Sequence, residues 1–139
     1  MEYKRFSDVI AVRIDRGEEI LEQVAAVAQR EKVLFAGVQA LGAVDDFTVG
    51  AYDLAERQYR SNRFCGVYEI VSLTGTVGKK DGAPYLHLHM SAADETGRVV
   101  GGHLNRARVS VTCELLLLLI DGEVGRETDK EIGIPLWRF

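Results

Sequence analysis

The three histidines of the chain lie close together in the sequence, at His87, His89 and His103, and they are its best candidates for chemistry. His87 and His89 are two positions apart, so on a β-strand their side chains share a face, with Cα atoms about 6.6 Å apart. Imidazoles at this separation can reach one cation at about 2.0–2.1 Å from each nitrogen. A hairpin turn predicted at Asp94–Gly97 would bring His103 beside the pair. Three histidine ligands with an open fourth position are typical of a divalent metal site, most simply one for zinc.

Other interpretations of these residues remain open from the sequence alone. A His-x-His pair on a strand is also found as a hydrogen-bonded polar stripe. Gly101 and Gly102, just before His103, fit either a close backbone approach at a site or an ordinary bulge.

A zinc-bound water of lowered pKa could hydrolyse a small substrate, which makes a zinc-dependent enzyme the alternative function. No nucleophile or cofactor-binding motif is present, and no general base lies near the histidines in sequence, so a binding module is favoured and catalytic residues stay unassigned.

Composition limits the classes of protein to which the chain can belong. It has 139 residues, 47% of them hydrophobic, and a net charge of −4, which fits a single domain over residues 1–139. Its longest apolar run, Leu115–Ile120, is far shorter than the roughly 20 residues that span a bilayer. No secretory signal is visible, so we expect a cytoplasmic protein. The acidic balance and scattered basic residues speak against generic nucleic-acid binding.

The two cysteines, Cys65 and Cys113, lie far apart in the sequence without a CxxC-like spacing. In a reducing cytoplasm we expect both to be buried free thiols that act as small apolar residues.

The remaining pattern predicts one main helix followed by strands and turns. Asp15 with Glu18 resembles a capping box that would begin the helix. The apolar residues of its buried face are Ile20, Leu21, Val24, Val27 and Ala28. The glycine-interrupted segment Val33–Tyr52 fits two strands, or one bent strand with bulges. The predicted strands before and after it are Val9–Ile14, Arg57–Phe64, Gly66–Val77, Tyr85–Met90 and Val109–Ile120, with an edge segment at Ile132–Phe139. The predicted class is α+β, with an antiparallel-dominated sheet and one main helix.

The apolar strands are too numerous for one helix to cover, which predicts association of subunits. In Leu115–Ile120 successive residues alternate sides, so three large aliphatic side chains must point away from the helix. A sheet curled over itself could hide them within one chain. Subunit contact covers them more simply, and a closed symmetric ring avoids open-ended association.

Two segments resemble hallmarks of a known family, the plants-and-prokaryotes-conserved (PPC) domain. Gly66–Gly75 resembles its Gly-Arg-Phe-Glu-Ile-Leu-Ser-Leu-type segment. Leu86–Ser91, with its His-x-His, and Val100–Leu104, with its Gly-Gly-His, resemble the second hallmark in order and spacing. The resemblance covers essentially the whole chain.

The resemblance implies an α+β fold around an antiparallel sheet, a homotrimer, and a metal site at the histidines. Plant relatives, the AT-hook nuclear-localized proteins, carry Arg-Gly-Arg-Pro segments for the DNA minor groove and act as transcriptional regulators. Prokaryotic relatives consist of the domain alone and are regarded as DNA-binding proteins, so DNA is an implied partner. This chain lacks Arg-Gly-Arg-Pro, and Val67 replaces the arginine of the plant interaction motif, so we expect direct DNA binding to be weak.

Overall fold

One helix and eight strands make up the chain in the computed structural model, which describes residues 1–139. The helix is α1 (Ile20–Arg30). The strands are β1 (Glu2–Phe6), β2 (Val9–Asp15), β3 (Ala36–Asp53), β4 (Gln58–Lys80), β5 (Ala83–Asp94), β6 (Val99–Leu119), β7 (Gly125–Thr128) and β8 (Pro135–Arg138). The expected mostly antiparallel sheet with a single helix is confirmed, and no helix has the length and apolar character needed to cross a membrane.

Four long strands close into a ring of antiparallel ladders. β3 pairs with β4 and β6, and β5 pairs with the same two strands on the other side. The segment Val33–Tyr52 is thus one bent strand from Ala36 onward, with register shifts between Ala40 and Gly42 and between Val44 and Asp46. The bends let the sheet curl, and the curled sheet surrounds a core that α1 closes on one side.

The helix begins later than the capping pattern predicts. Asp15 is still in β2, paired with Thr112, and its amide donates to the Glu18 carboxylate in a turn ahead of the helix. Glu19 is the residue that caps α1, since its side chain accepts from the amide of Glu22. The prediction of Asp15 as the cap was therefore wrong. Four members of the predicted apolar face are buried, namely Ile20, Val24, Val27 and Ala28, whereas Leu21 is only partly buried.

The cysteine prediction is half right. Cys113 is buried as a free thiol, and burial raises its pKa to about 12. Cys65 is exposed, contrary to expectation. It follows Phe64, whose ring stacks on Phe47 at the core, and strand alternation turns the next side chain outward.

The outer face of β6 carries the apolar side chains that the alternation in the sequence predicts. Leu115 and Leu117 are buried, whereas Leu116, Leu118 and Ile120 are 40%, 42% and 49% exposed in the single chain. The ring of strands therefore does not hide them. Leu116 also lines a cavity of about 720 Å³ on this face, which Leu41 and Val71 share.

A buried carboxylate ties three strands of the ring together close to the histidines. Asp46 on β3 is 6% exposed and accepts two hydrogen bonds from Arg63 on β4, at 2.8 and 2.9 Å. Arg106 on β6 donates a third at 2.7 Å. Four residues further along β3, Gly50 pairs with His103. The carboxylate thus fixes β3 against the strand that carries one of the histidines.

This ion network predicts a pH-dependent contribution to stability. Hydrogen bonds and charges from Arg63 and Arg106 hold the pKa of Asp46 far below its ordinary value of 3.8. The stabilisation is therefore fully present above pH 4 and is lost as the pH falls through the lowered pKa. We expect Asp46→Asn to lower the thermal unfolding midpoint at pH 7. The difference from wild type should shrink as the pH is lowered below about 4, and a difference that does not change with pH would contradict this assignment.

Candidate metal centre

The structure brings the three histidines together at the junction of β5 and β6. His89 pairs directly with His103 across the two strands, and His87 lies two residues before His89 on the same face. The ring centroids are 5.2–5.4 Å apart in all three pairs. Ligand nitrogens of the three rings all lie within 4.8 Å of one another. His89 is exposed and the other two are partly buried, so the cluster is open to solvent on one side.

Gly101 and Gly102, beside the cluster, allow the backbone of β6 to pack closely against the backbones of β3 and β5. A Cβ atom on Gly102 would lie 2.6 Å from the carbonyl oxygen of Gly50, and one on Gly101 would lie 2.6 Å from that of Met90. Only glycine lets β6 approach β3 and β5 this closely while keeping His103 in register with His89. The close-approach interpretation of the glycine pair is therefore right, and the approaching group is protein backbone.

A cation from the end of the chain contacts the cluster. Arg126 on β7 donates through Nη2 to Nδ1 of His87 at 3.1 Å, because a guanidinium can only donate. Its Nη1 donates to the carbonyl oxygen of Pro135 at 3.0 Å. The guanidinium also lies over the rings of Tyr85, at 4.9 Å, and Trp137, at 5.9 Å. Arg126 is thereby held facing the histidines.

The environment keeps two of the imidazoles neutral. Burial lowers the pKa of His87 to about 4, with further lowering from Arg126 and the other two histidines. Burial also lowers the pKa of His103, with smaller contributions from His89 and Arg126. At neutral pH both rings therefore have an unprotonated nitrogen, which is the form that binds metal.

The histidines form part of the lining of a cavity of about 780 Å³. Tyr52 and Tyr59 lie on one side of it, and the β7–β8 hairpin supplies Arg126 and Trp137. A hydrogen bond holds the loop of the hairpin against β3, since the Tyr52 hydroxyl donates to the Ile132 carbonyl at 3.1 Å. No acidic side chain lines the cavity. The arrangement can offer three imidazole ligands to a metal ion and one fixed positive charge to a small molecule.

Comparison with known proteins identifies the family. The profile of the Plants and Prokaryotes Conserved (PCC) domain matches residues 1–121. This chain belongs to the Plants and Prokaryotes Conserved domain family. The resemblance inferred from the His-x-His and Gly-Gly-His motifs is thus confirmed. The comparison with curated proteins finds no match.

Solved structures of the PCC domain agree with this assignment. A metal-containing protein from Archaeoglobus fulgidus is 31% identical, with a TM-score of 0.89 over 99% of this chain and 97% of that one. A plant- and prokaryote-conserved (PPC) protein from Pyrococcus horikoshii is 30% identical, with a TM-score of 0.86 over 99% and 94%. A candidate DNA-binding protein from Bacteroides thetaiotaomicron has a TM-score of 0.96 at 22% identity, over 99% and 96%, which shows a shared fold.

The family profile ends before the hairpin that covers the cavity. Arg126 and Trp137 lie beyond residue 121, and sequence reasoning did not single them out. The tail, Ile132–Phe139, was expected only to be an edge segment around Pro135. This expectation is confirmed, because β8 lies at one edge of the sheet. β7, which joins β4 in parallel at Lys79 and Gly125, was not predicted. The apolar residues of the tail and its single Trp were the only signal that it packs against something.

Proposed function

We propose that this PCC-domain protein binds one divalent ion, zinc in the simplest case, through His87, His89 and His103, and uses it as a centre for binding a small ligand. The observation that carries the proposal is the meeting of all three ligand nitrogens within 4.8 Å at the wall of a cavity. Three histidine ligands leave one coordination position open, and all three histidines line the cavity from which a small ligand could reach it. The metal-containing relative from Archaeoglobus fulgidus supports a metal in this fold.

The donor set fits such an ion. His87 and His103 are held neutral, and imidazole nitrogen suits zinc and other borderline ions better than calcium or magnesium. Arg126 competes with the ion for His87, because its hydrogen bond to Nδ1 occupies the only in-plane lone pair of the neutral ring. Zinc titration of chelator-treated protein tests the proposal. We expect one site per chain, and the absence of uptake would refute it.

A binding centre is favoured over a hydrolytic enzyme. In zinc-dependent hydrolases a group beside the ion, such as a carboxylate, commonly assists by taking the proton from the attacking water. The side chains lining the cavity include tyrosines and an arginine but no Asp or Glu. The chain by itself therefore supplies ligand binding and orientation better than it supplies general-base chemistry.

The proposal includes assembly as a cytoplasmic homotrimer. The exposed apolar face of β6, with Leu41 and Val71 beside it, is the surface that subunit contact would cover. Burying a fully exposed aliphatic side chain contributes about 1.5–3 kcal/mol, and covering the exposed part of each of these side chains would contribute a share of that. A closed ring of subunits covers them without leaving a free end.

DNA binding by the isolated chain is expected to be weak. Arg63 and Arg106 share the carboxylate of Asp46, and Arg108 is paired with Asp45, so two carboxylates within the chain offset most of the charge of these three cations. The net charge of −4 removes the long-range attraction to phosphates that supplies most non-specific affinity. We expect a Kd weaker than about 10⁻⁵ M for generic duplex at physiological salt, measured by fluorescence anisotropy. Sub-micromolar binding that falls steeply with salt would overturn this expectation.

A further inference from the structure

Arg126 is a charged group in the cavity without a counter-ion. Its guanidinium contacts one carbonyl oxygen, one imidazole nitrogen and two aromatic rings, and no carboxylate. The neighbouring acid, Glu127, is paired with Arg138. A partly buried cation that lacks an anion is costly, since its desolvation is not offset by an opposite charge. A divalent ion on the three histidines would add two further positive charges to the same cavity.

We propose that the ligand of this cavity is a small carboxylate with a flat apolar body, and that Arg126 binds its carboxylate group. This inference rests on the proposed metal centre and specifies the class of ligand that the centre takes. The planar guanidinium fork matches a carboxylate with two parallel N–H donors. Binding the anion gives Arg126 the counter-charge that the chain itself does not supply. The carboxylate would also replace His87 as a hydrogen-bond partner of Arg126 when a metal ion binds His87.

The rest of the cavity fits an apolar body. Tyr52 and Tyr59 line one side, and Trp137 and Leu136 line the hairpin side. The volume of about 780 Å³ lies within the range of small-molecule sites, roughly 300–1,000 Å³. A phosphate group is less well matched, because Arg126 is the only Arg or Lys side chain that lines the cavity and no second one is there to bind the remaining phosphate oxygens.

The test uses the single tryptophan of the chain, Trp137, which lines the cavity, as a fluorescent reporter. Phenylacetate, phenylacetamide and phenylphosphonate are titrated into zinc-saturated protein. We expect saturable binding of phenylacetate, and much weaker binding of the neutral amide and of the phosphonate. Arg126→Gln should weaken phenylacetate binding by about 10- to 100-fold, as expected for loss of a charge-assisted pair. Arg138→Gln is the matched control, since this arginine of the same hairpin is paired with Glu127, and it should bind phenylacetate like wild type.

Zinc affinity, measured separately by chelator competition, distinguishes the two proposals. Arg126→Gln should bind zinc at least as tightly as wild type, because it loses a like charge and a competing donor to His87. If Arg126 had a merely structural role, its replacement would not weaken phenylacetate binding while leaving zinc binding unchanged or tighter. Failure of wild type to bind zinc would refute the metal centre. Three results with zinc-saturated protein would refute the carboxylate site. The first is that wild type does not bind phenylacetate, and the second is that it prefers the amide or the phosphonate. The third is that wild type and Arg126→Gln bind phenylacetate equally well.

Discussion

Replacing any one of the three histidines by alanine is expected to abolish stoichiometric metal binding. Each of His87→Ala, His89→Ala and His103→Ala removes one of three protein ligands, and no other metal-binding side chain lies close enough to take its place. Losing one ligand should lower zinc affinity by at least about 100-fold, since changes to groups that merely support a ligand already cost 10- to 100-fold. Zinc titration monitored by calorimetry, together with the metal content of each variant, measures the effect.

A matched variant separates ligation from general damage to the cavity. Tyr59→Phe removes only a hydroxyl, which donates to Asn105 at 2.7 Å and more weakly to the His103 carbonyl at 3.5 Å, while the ring stays edge-on to His103 at 6.1 Å. It should bind zinc like wild type. Unchanged zinc binding in the three folded alanine variants would show that the histidines are a polar stripe rather than ligands.

Replacing Leu116 by aspartate is expected to convert the proposed trimer to a monomer. Leu116 is already 40% exposed in the single chain, so the substitution should leave the chain folded while placing a charge on the face proposed as the subunit contact. A carboxylate buried in such a contact without a partner is strongly unfavourable. Light scattering should show wild type near three times 15.4 kDa and Leu116→Asp near 15.4 kDa.

The control for this experiment places the same charge elsewhere. Leu54 is exposed in the turn between β3 and β4, outside the proposed contact, and Leu54→Asp should remain trimeric. A wild-type monomer at micromolar concentration would reject the trimer. A trimer that tolerates Leu116→Asp would reject the outer face of β6 as the contact.

The histidine cluster could be predicted from the sequence because its geometry is local. Side-chain alternation puts His87 and His89 on one face, and a short turn returns the chain so that His103 pairs with His89. The same alternation correctly predicted that three aliphatic side chains of Leu115–Ile120 point outward, and these are Leu116, Leu118 and Ile120. Features of this kind depend on strand period and turn chemistry, and both can be read from neighbouring residues.

Arg126 could not be predicted because its place depends on contacts distant in sequence. β7 reaches the cluster through its pairing with β4 at Lys79, and the Tyr52 hydroxyl fixes the hairpin at Ile132. The start of the helix was missed for a related reason. The pairing of Asp15 with Thr112 on β6 keeps Asp15 in its strand, and this tertiary pairing outweighs the local capping pattern.

The most direct test of the metal centre is the metal content of protein purified without chelator, combined with X-ray absorption at the edge of the metal found. The proposed function predicts about one divalent ion per chain, with three imidazole nitrogens at about 2.0–2.1 Å if that ion is zinc. Protein that is metal-free as purified and takes up no zinc on titration, or that holds an ion without histidine ligands, would contradict it.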